Sequence, residues 1–259
     1  MNPTRTPMNT HNTIEKMTAM RMKAMAAVYH QAVSQHLYSE MDQDEFTALM
    51  IDYEWEDRQH RRIGRLLSNA RFQQQASARD LDFTSTGSAQ SKDGRKLDRT
   101  LIERLLSLGF IKHRENIIIT GPTGVGKSYL AQAIGVQACQ MLHRTMYFTT
   151  SRLLEEVKLA KMQGTYLKMM ELLIKQDLLI LDDFGLCPMD ATDRQTLLEI
   201  VEGRHQKHST IISSQIPVAG WHALIGEGTM ADAILDRIVN TSHRIQISGD
   251  SLRKNQKLS

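Results

Sequence analysis

Cysteine is nearly absent. Cys139 and Cys187 stand alone in 259 residues, in no Cys-x-x-Cys or Cys/His spacing. This argues against a disulfide framework and a structural zinc site. Long apolar runs are missing too: the longest, such as Leu178–Leu181 and Ile117–Ile119, fall far short of the roughly 18–20 residues that cross a bilayer as a helix. The opening MNPTRTPMNTHNT lacks the apolar core of a secretory signal, and no repeat with a period of about 20–50 residues is visible. A dominant charge is also lacking, with 32 Lys plus Arg against 29 Asp plus Glu. What remains, 41% hydrophobic and 24% charged residues, is an ordinary globular composition. The chain reads as a soluble cytoplasmic protein with no membrane partner. At about 100–200 residues per domain, it is one large domain or one domain with a helical extension.

Residues 1–13 read as a disordered lead. Apolar residues then recur at Ile14, Met17, Met20, Ala24 and Val28, a helical spacing. This Met-rich stripe is either a buried helix face or a partner surface. Asp42, with Glu45 three positions on, caps a second helix through Phe46, Leu49, Met50, Tyr53, Ile63, Leu66 and Leu67. Residues 14–80 thus form a small N-terminal all-helical domain. Residues 81–96, rich in Ser, Thr and Gly, read as a linker. From 97 to 259 the pattern changes. Candidate strands at 116–120, 145–149, 177–182, 209–213 and 244–247 alternate with helices at 98–108, 127–141, 151–175, 191–206 and 229–239. Such alternation predicts an α/β fold with a parallel sheet.

GPTGVGKS (121–128) matches the phosphate-binding loop G-x-x-x-x-G-K-[ST] in full, between a predicted strand and a predicted helix, the context the motif requires. A chance match in a chain of this length is roughly one in a hundred. Gly121, Gly124 and Gly126 allow backbone conformations closed to other residues, so the loop amides can cradle phosphates at a helix N-terminus. Lys127 reaches the β and γ phosphates, and the Ser128 hydroxyl holds Mg²⁺. A triphosphatase also needs a carboxylate near the metal and a group to orient water. LLILDD (178–183) supplies Asp182 for the metal and Asp183 for the water, at the carboxyl end of a strand, where ligands of parallel sheets bind. The strand ending Ser213–Ser214–Gln215 offers a polar tip that touches the γ phosphate or the lytic water, or merely stops the sheet. Arg237, on an amphipathic helix beside Asp236, is a surface ion-pair former or an arginine finger supplied in trans.

GPTGVGKSYLAQAIG, LLILDDFGLCP, STIISSQIPVAGWHALIG, ADAILDRIVN and ISGDSLRK, in this order and spacing, resemble the IstB family of AAA+ helper ATPases from bacterial insertion sequences, related to the DnaC helicase loader and the DnaA initiator. The resemblance runs from about residue 14 to 254. It implies an AAA+ core with a five-stranded parallel sheet between helices. ATP would lie against Gly121, Pro122, Thr123, Gly124, Val125, Gly126, Lys127, Ser128 and Tyr129, with Mg²⁺ on Ser128 and Asp182. Asp182 and Asp183 would form Walker B, Gln215 the first sensor, Arg237 the finger and Arg253 a second basic sensor. The implied role is self-association on double-stranded target DNA, remodelling of that DNA, and recruitment of an IstA-type transposase. A DnaC-like loader acting on single-stranded DNA is the alternative. Many relatives carry Asp-Glu in Walker B. Here the shorter second acid would stand farther from the water, which would slow hydrolysis.

For DNA contact two basic groups compete. Arg58, Arg61, Arg62, Arg65, Arg71 and Arg79 contain no acid between them and could neutralise phosphates. Equally, acids before them and arginines after suit the helix macrodipole, with Glu54–Arg58 and Asp57–Arg61 as i,i+4 pairs. Lys158, Lys161 and Lys168 are either nucleic-acid contacts at the pore of a ring, as in the related loaders, or a solvated helix face. No RNP-type aromatic pair is present, so sequence-specific base reading is not expected.

Overall fold

The computed structural model describes residues 7–35, 41–80, 98–226 and 228–249. The linker reading (81–96) and Arg253 fall outside them. The chain divides into two compact units, residues 1–65 and 66–259.

The first unit holds α1 (Pro7–Ala19), α2 (Lys23–Gln35) and most of α3 (Gln43–Asn69). Two expectations change here. Helix begins at Pro7, inside the segment read as a disordered lead; proline suits a first helical position because its fixed φ is already helical and no amide is needed there. The helix read from Ile14 through Val28 is two helices, broken where Arg21 turns left-handed (φ 60°). The Met stripe is only partly covered, Met20 being 58% exposed, and the buried residues of α2 are Ala26, Tyr29 and Ala32. At the start of α3, Asp42 Oδ1 accepts from Gln43 N (2.7 Å), while Glu45 reaches back to Asp42 N (3.3 Å).

Glu54 is a buried acid of this unit. Its Oε2 accepts from the backbone amides of Ala24 and Met25 (3.0 and 3.2 Å), in the first turn of α2, and its Oε1 from Arg58 Nε (2.8 Å). First-turn amides have no intrahelical acceptor, so Glu54 caps α2 from a different helix. Burial pushes its carboxyl up, but Arg58 and the two amides outweigh that and hold it below the usual range.

The second unit is built on a parallel sheet of order β2-β3-β4-β1-β5. Its strands are β1 (Asn116–Thr120), β2 (Thr145–Thr149), β3 (Leu178–Asp182), β4 (Ser209–Ser214) and β5 (Ser242–Gln246). The short apolar runs mark the buried strands well because a parallel sheet is covered on both faces. One face, with Ile117, Ile119, Tyr147, Ile180 and Ile211, packs on α4 (Arg99–Leu106), α5 (Gly109–His113) and α6 (Lys127–Gln140). The other, with Ile118, Phe148, Leu179, Leu181 and Ile212, packs on α7 (Thr150–Met162), α8 (Tyr166–Ile174), α9 (Ala191–Arg204), α10 (Trp221–Ile225) and α11 (Gly228–Val239).

The helix expected over 151–175 is interrupted at Gly164, whose φ of 70° ends α7. Arg204, fully buried, gathers carbonyls at the end of α8 and after it. It donates to Leu173 O (2.8 Å), Ile174 O (3.3 Å), Gln176 O (2.8 Å) and Ser209 O, and to Thr210 Oγ1 (3.1 Å). Burial pulls its guanidinium down to about 9 and the nearby Asp177 charge opposes that.

Candidate nucleotide site

Parallel pairing brings the ends of β1, β3 and β4 to one edge of the sheet. The 121–128 loop leaves β1 there and runs into α6. Three of its glycines have positive φ: Gly121 155°, Gly124 83° and Gly126 99°. At Gly121 space is also decisive, since a Cβ would lie 2.2 Å from Ile247 O. Gly126 is the N-cap of α6 and has no side chain to cap it. A helix N-terminus without a side-chain cap suits an anionic group. Lys127 is 6% exposed, and its Nζ donates to Pro122 O (2.7 Å), folding back over the loop. Tyr129 is turned otherwise: its hydroxyl accepts from Ser77 N (3.1 Å).

Asp182, 1% exposed, stands at the end of β3. Its Oδ2 accepts from the Tyr147 hydroxyl (2.7 Å), and its Oδ1 from the Ser213 hydroxyl and from Asp183 N (2.9 Å). Burial and the Asp182 charge both push the Tyr147 phenol up, so it remains a donor. Asp183 adopts φ 54°, a conformation aspartate tolerates better than most residues. The turn is fixed from both sides. Phe184 N donates to Ser213 O (2.8 Å), Ser214 Oγ donates to Phe184 O (2.7 Å), and the Phe184 ring packs on Trp221 (4.7 Å). Gln215, just beyond β4, accepts from Thr123 Oγ1 (2.6 Å), which leaves its NH₂ to donate. The loop, Asp182, Asp183 and Gln215 thus share one edge.

The donor set also suits a magnesium nucleotide. Among the described residues no group of three or more His, Cys, Asp or Glu could hold a metal alone. Mg²⁺ commonly binds through one or two protein oxygens and substrate phosphates, and Ser128 in the first turn of α6 and Asp182 at the end of β3 carry oxygens of that kind.

Arg237 is elsewhere. Its backbone carbonyl accepts from the Asn116 side chain, at the opposite end of β1, and its guanidinium pairs with Glu202 (2.9 Å). About five strand residues, roughly 16 Å, separate that end from the loop. Of the candidate DNA contacts, Lys158 is committed to Asp190 and Asp193 (2.8 Å each), at the capping box of α9. These partners, Asp190 first, raise its pKa, and Lys158 in turn lowers Asp190 to about 2. Lys161 donates to Thr196 (3.3 Å) and lies 4.7 Å from the Tyr166 ring; Lys168 is exposed. Arg58 and Arg61 pair with Glu54 and Asp57, as the i,i+4 spacing anticipates. With Arg62, Arg65, Trp55 and Gln59 they line a cleft of about 550 Å³ on the first unit. Arg71 pairs with Glu156 (2.7 Å), and Arg79 lies in a 3-10 turn. Tyr147, Ser213 and Gln132 were not singled out for these contacts by the motifs, because their partners lie on other elements.

The model of the IstB-like ATP binding protein family matches residues 15–259. A Sinorhizobium fredii protein named for ATP binding in an insertion sequence is 39% identical over 247 residues, 95% of this chain and 98% of its own. Its counterpart from insertion sequence IS21 of Pseudomonas aeruginosa is 29% identical over 241 residues, 93% of this chain and 88% of its own. Among solved structures, DnaI shares the fold, with a TM-score of 0.55 and 21% identity over 67% of this chain and 91% of that one. The core is an AAA+ P-loop fold preceded by a helical region, and the chain belongs to the family of IstB-like ATP binding proteins.

Proposed function

We propose that this chain is an ATPase that assembles with copies of itself on double-stranded DNA, remodels that DNA and recruits a transposase of the IstA type. Lys127 and the loop amides hold the triphosphate, and Ser128 and Asp182 hold Mg²⁺. Bound there, Mg²⁺ neutralises charge on the phosphate oxygens. Asp183 orients the attacking water, and the Gln215 NH₂ donates to the γ phosphate or to that water. Arg237 serves the nucleotide of an adjacent copy.

The observation that carries this reading is the separation of the machinery over two ends of one sheet. Walker A, Walker B and Gln215 converge at one end, and Arg237 stands at the other, paired with Glu202. An arginine so placed can meet a γ phosphate only across an interface. Subunit mixing tests this. Arg237→Ala and Asp183→Asn proteins are each inactive alone, and their mixture regains hydrolysis because some interfaces combine an intact site with an intact finger. Electron microscopy with duplex DNA in ATP and in ADP then reads the assembly. A protein that stays monomeric and ignores duplex DNA in either nucleotide overturns the proposal.

A further inference from the structure

Residues 70–77 cross the second unit beside the outer edge of β2. Ala70, fully buried, accepts from Tyr147 N (2.8 Å). Arg71 lies over the Phe148 ring (5.0 Å) and pairs with Glu156 (2.7 Å). The Phe72 ring meets the Tyr147 ring at 6.5 Å and fills the space over Gly135, where a Cβ would come within 2.8 Å of its Cε1. The amides of Gln73 and Gln74 both donate to Gln132 Oε1 (2.8 and 3.2 Å), and Gln132 Nε2 donates to Ser128 O (3.3 Å). One short strap thus meets Walker B through Tyr147 and Walker A through Gln132.

We propose that Tyr147 is a positioning residue for Asp182, and that the strap sets where its phenol stands. The proposal rests on the reading of Asp182 as a magnesium-binding carboxylate. Asp182 is 1% exposed, so no bulk water is at hand to replace the phenol at Oδ2. With both oxygens held, by Tyr147 on one side and Ser213 with Asp183 N on the other, the carboxylate has a single orientation. Without the phenol, Oδ2 is a buried acceptor with a lost partner, and the group rotates to find another. The strap adds a second level of control. Tyr147 is bonded to it through the backbone and packed on it through the ring, so a shift of residues 70–72 moves the phenol.

Tyr147→Phe tests this because it removes only the hydroxyl. The expected protein binds a fluorescent ATP analogue in EDTA within twofold of the parent. Its half-saturating Mg²⁺ for hydrolysis rises about tenfold and kcat falls several-fold, while KM for ATP at saturating Mg²⁺ is little changed. Phe72→Leu, which keeps the phenol but loosens its support, shifts the Mg²⁺ requirement in the same direction by a smaller factor. A purely structural role would lower thermal stability without moving the Mg²⁺ requirement. If Tyr147→Phe keeps both kcat and Mg²⁺ dependence within twofold while Asp182→Ala abolishes hydrolysis, the positioning role is wrong and the metal reading stands. If Asp182→Ala itself hydrolyses ATP normally, both fall together.

Discussion

Gly121→Ala isolates the backbone requirement of the phosphate loop. The new Cβ would lie 2.2 Å from Ile247 O and 3.2 Å from Ile247 C, about 0.8 Å inside the closest approach that carbon and oxygen tolerate. Neither side yields readily. Ile247 N is bonded to Thr120 O (2.8 Å) and Gly121 N to Ser214 O (3.3 Å), so the loop and the residue after β5 are both pinned to the sheet. The backbone angle, φ 155°, is closed to alanine as well. Strain of about 1–3 kcal/mol from the backbone and a similar amount from overpacking give about 2–6 kcal/mol. If 2 kcal/mol of that falls on the loop conformation that holds the triphosphate, ATP affinity drops roughly 30-fold. Calorimetric titration of ATP reads this, beside a thermal melt that gives the folded fraction. Gly64→Ala is the control: a Cβ there meets nothing within 4 Å, and the site lies inside α3. It should stabilise by about 1 kcal/mol and leave ATP binding alone. A Gly121→Ala protein that binds ATP within threefold of the parent refutes the reasoning.

Glu54→Ala should destabilise the first unit by about 1–2 kcal/mol through loss of the α2 cap, measured by urea unfolding. Because the folded Glu54 carboxyl titrates below its ordinary 4.5, its stabilisation is complete above that pH and is lost as pH falls through the lower folded value; the difference between parent and variant should shrink on acidification in that window, and a difference that grows there contradicts the cap. Arg204→Ala strands several buried carbonyls and should cost at least about 3 kcal/mol, seen as a lower urea midpoint for the second unit; an unchanged midpoint would mean the carbonyls find other donors. For the proposed DNA contact, Arg62→Ala with Arg65→Ala should flatten the dependence of log affinity on log salt by about 0.9 per arginine that meets a phosphate. An unchanged slope in filter binding removes the pair from the interface.

The parts of this molecule that were legible in the sequence are those with local causes. The phosphate loop is contiguous, and β1 to β4 announce themselves as apolar runs because both faces of the sheet are covered. The i,i+4 pairs of α3 depend only on helical pitch. What escaped has distant causes. Tyr147 serves Asp182 from 35 residues away and Glu54 caps Ala24 across 30, and composition carries no trace of either pairing. The break at Arg21 was hidden because apolar residues continue through it at helical spacing. Lys158 looked like a free cation because Asp190 and Asp193 meet it only once α7 and α9 are packed.

Strand β1 lies between β4 and β5, both of which come much later in the chain: Asn116 bonds Thr210 across 94 residues. At a synthesis rate of about 5–20 residues per second, a growing polypeptide carries the phosphate loop for roughly 5–20 s before either neighbour of its supporting strand has been made. During that interval the first unit has already been synthesised, while the nucleotide loop hangs from a strand without ladder partners. A premature stop between the phosphate loop and β4 would therefore release that loop on a strand without ladder partners, unable to grip a triphosphate.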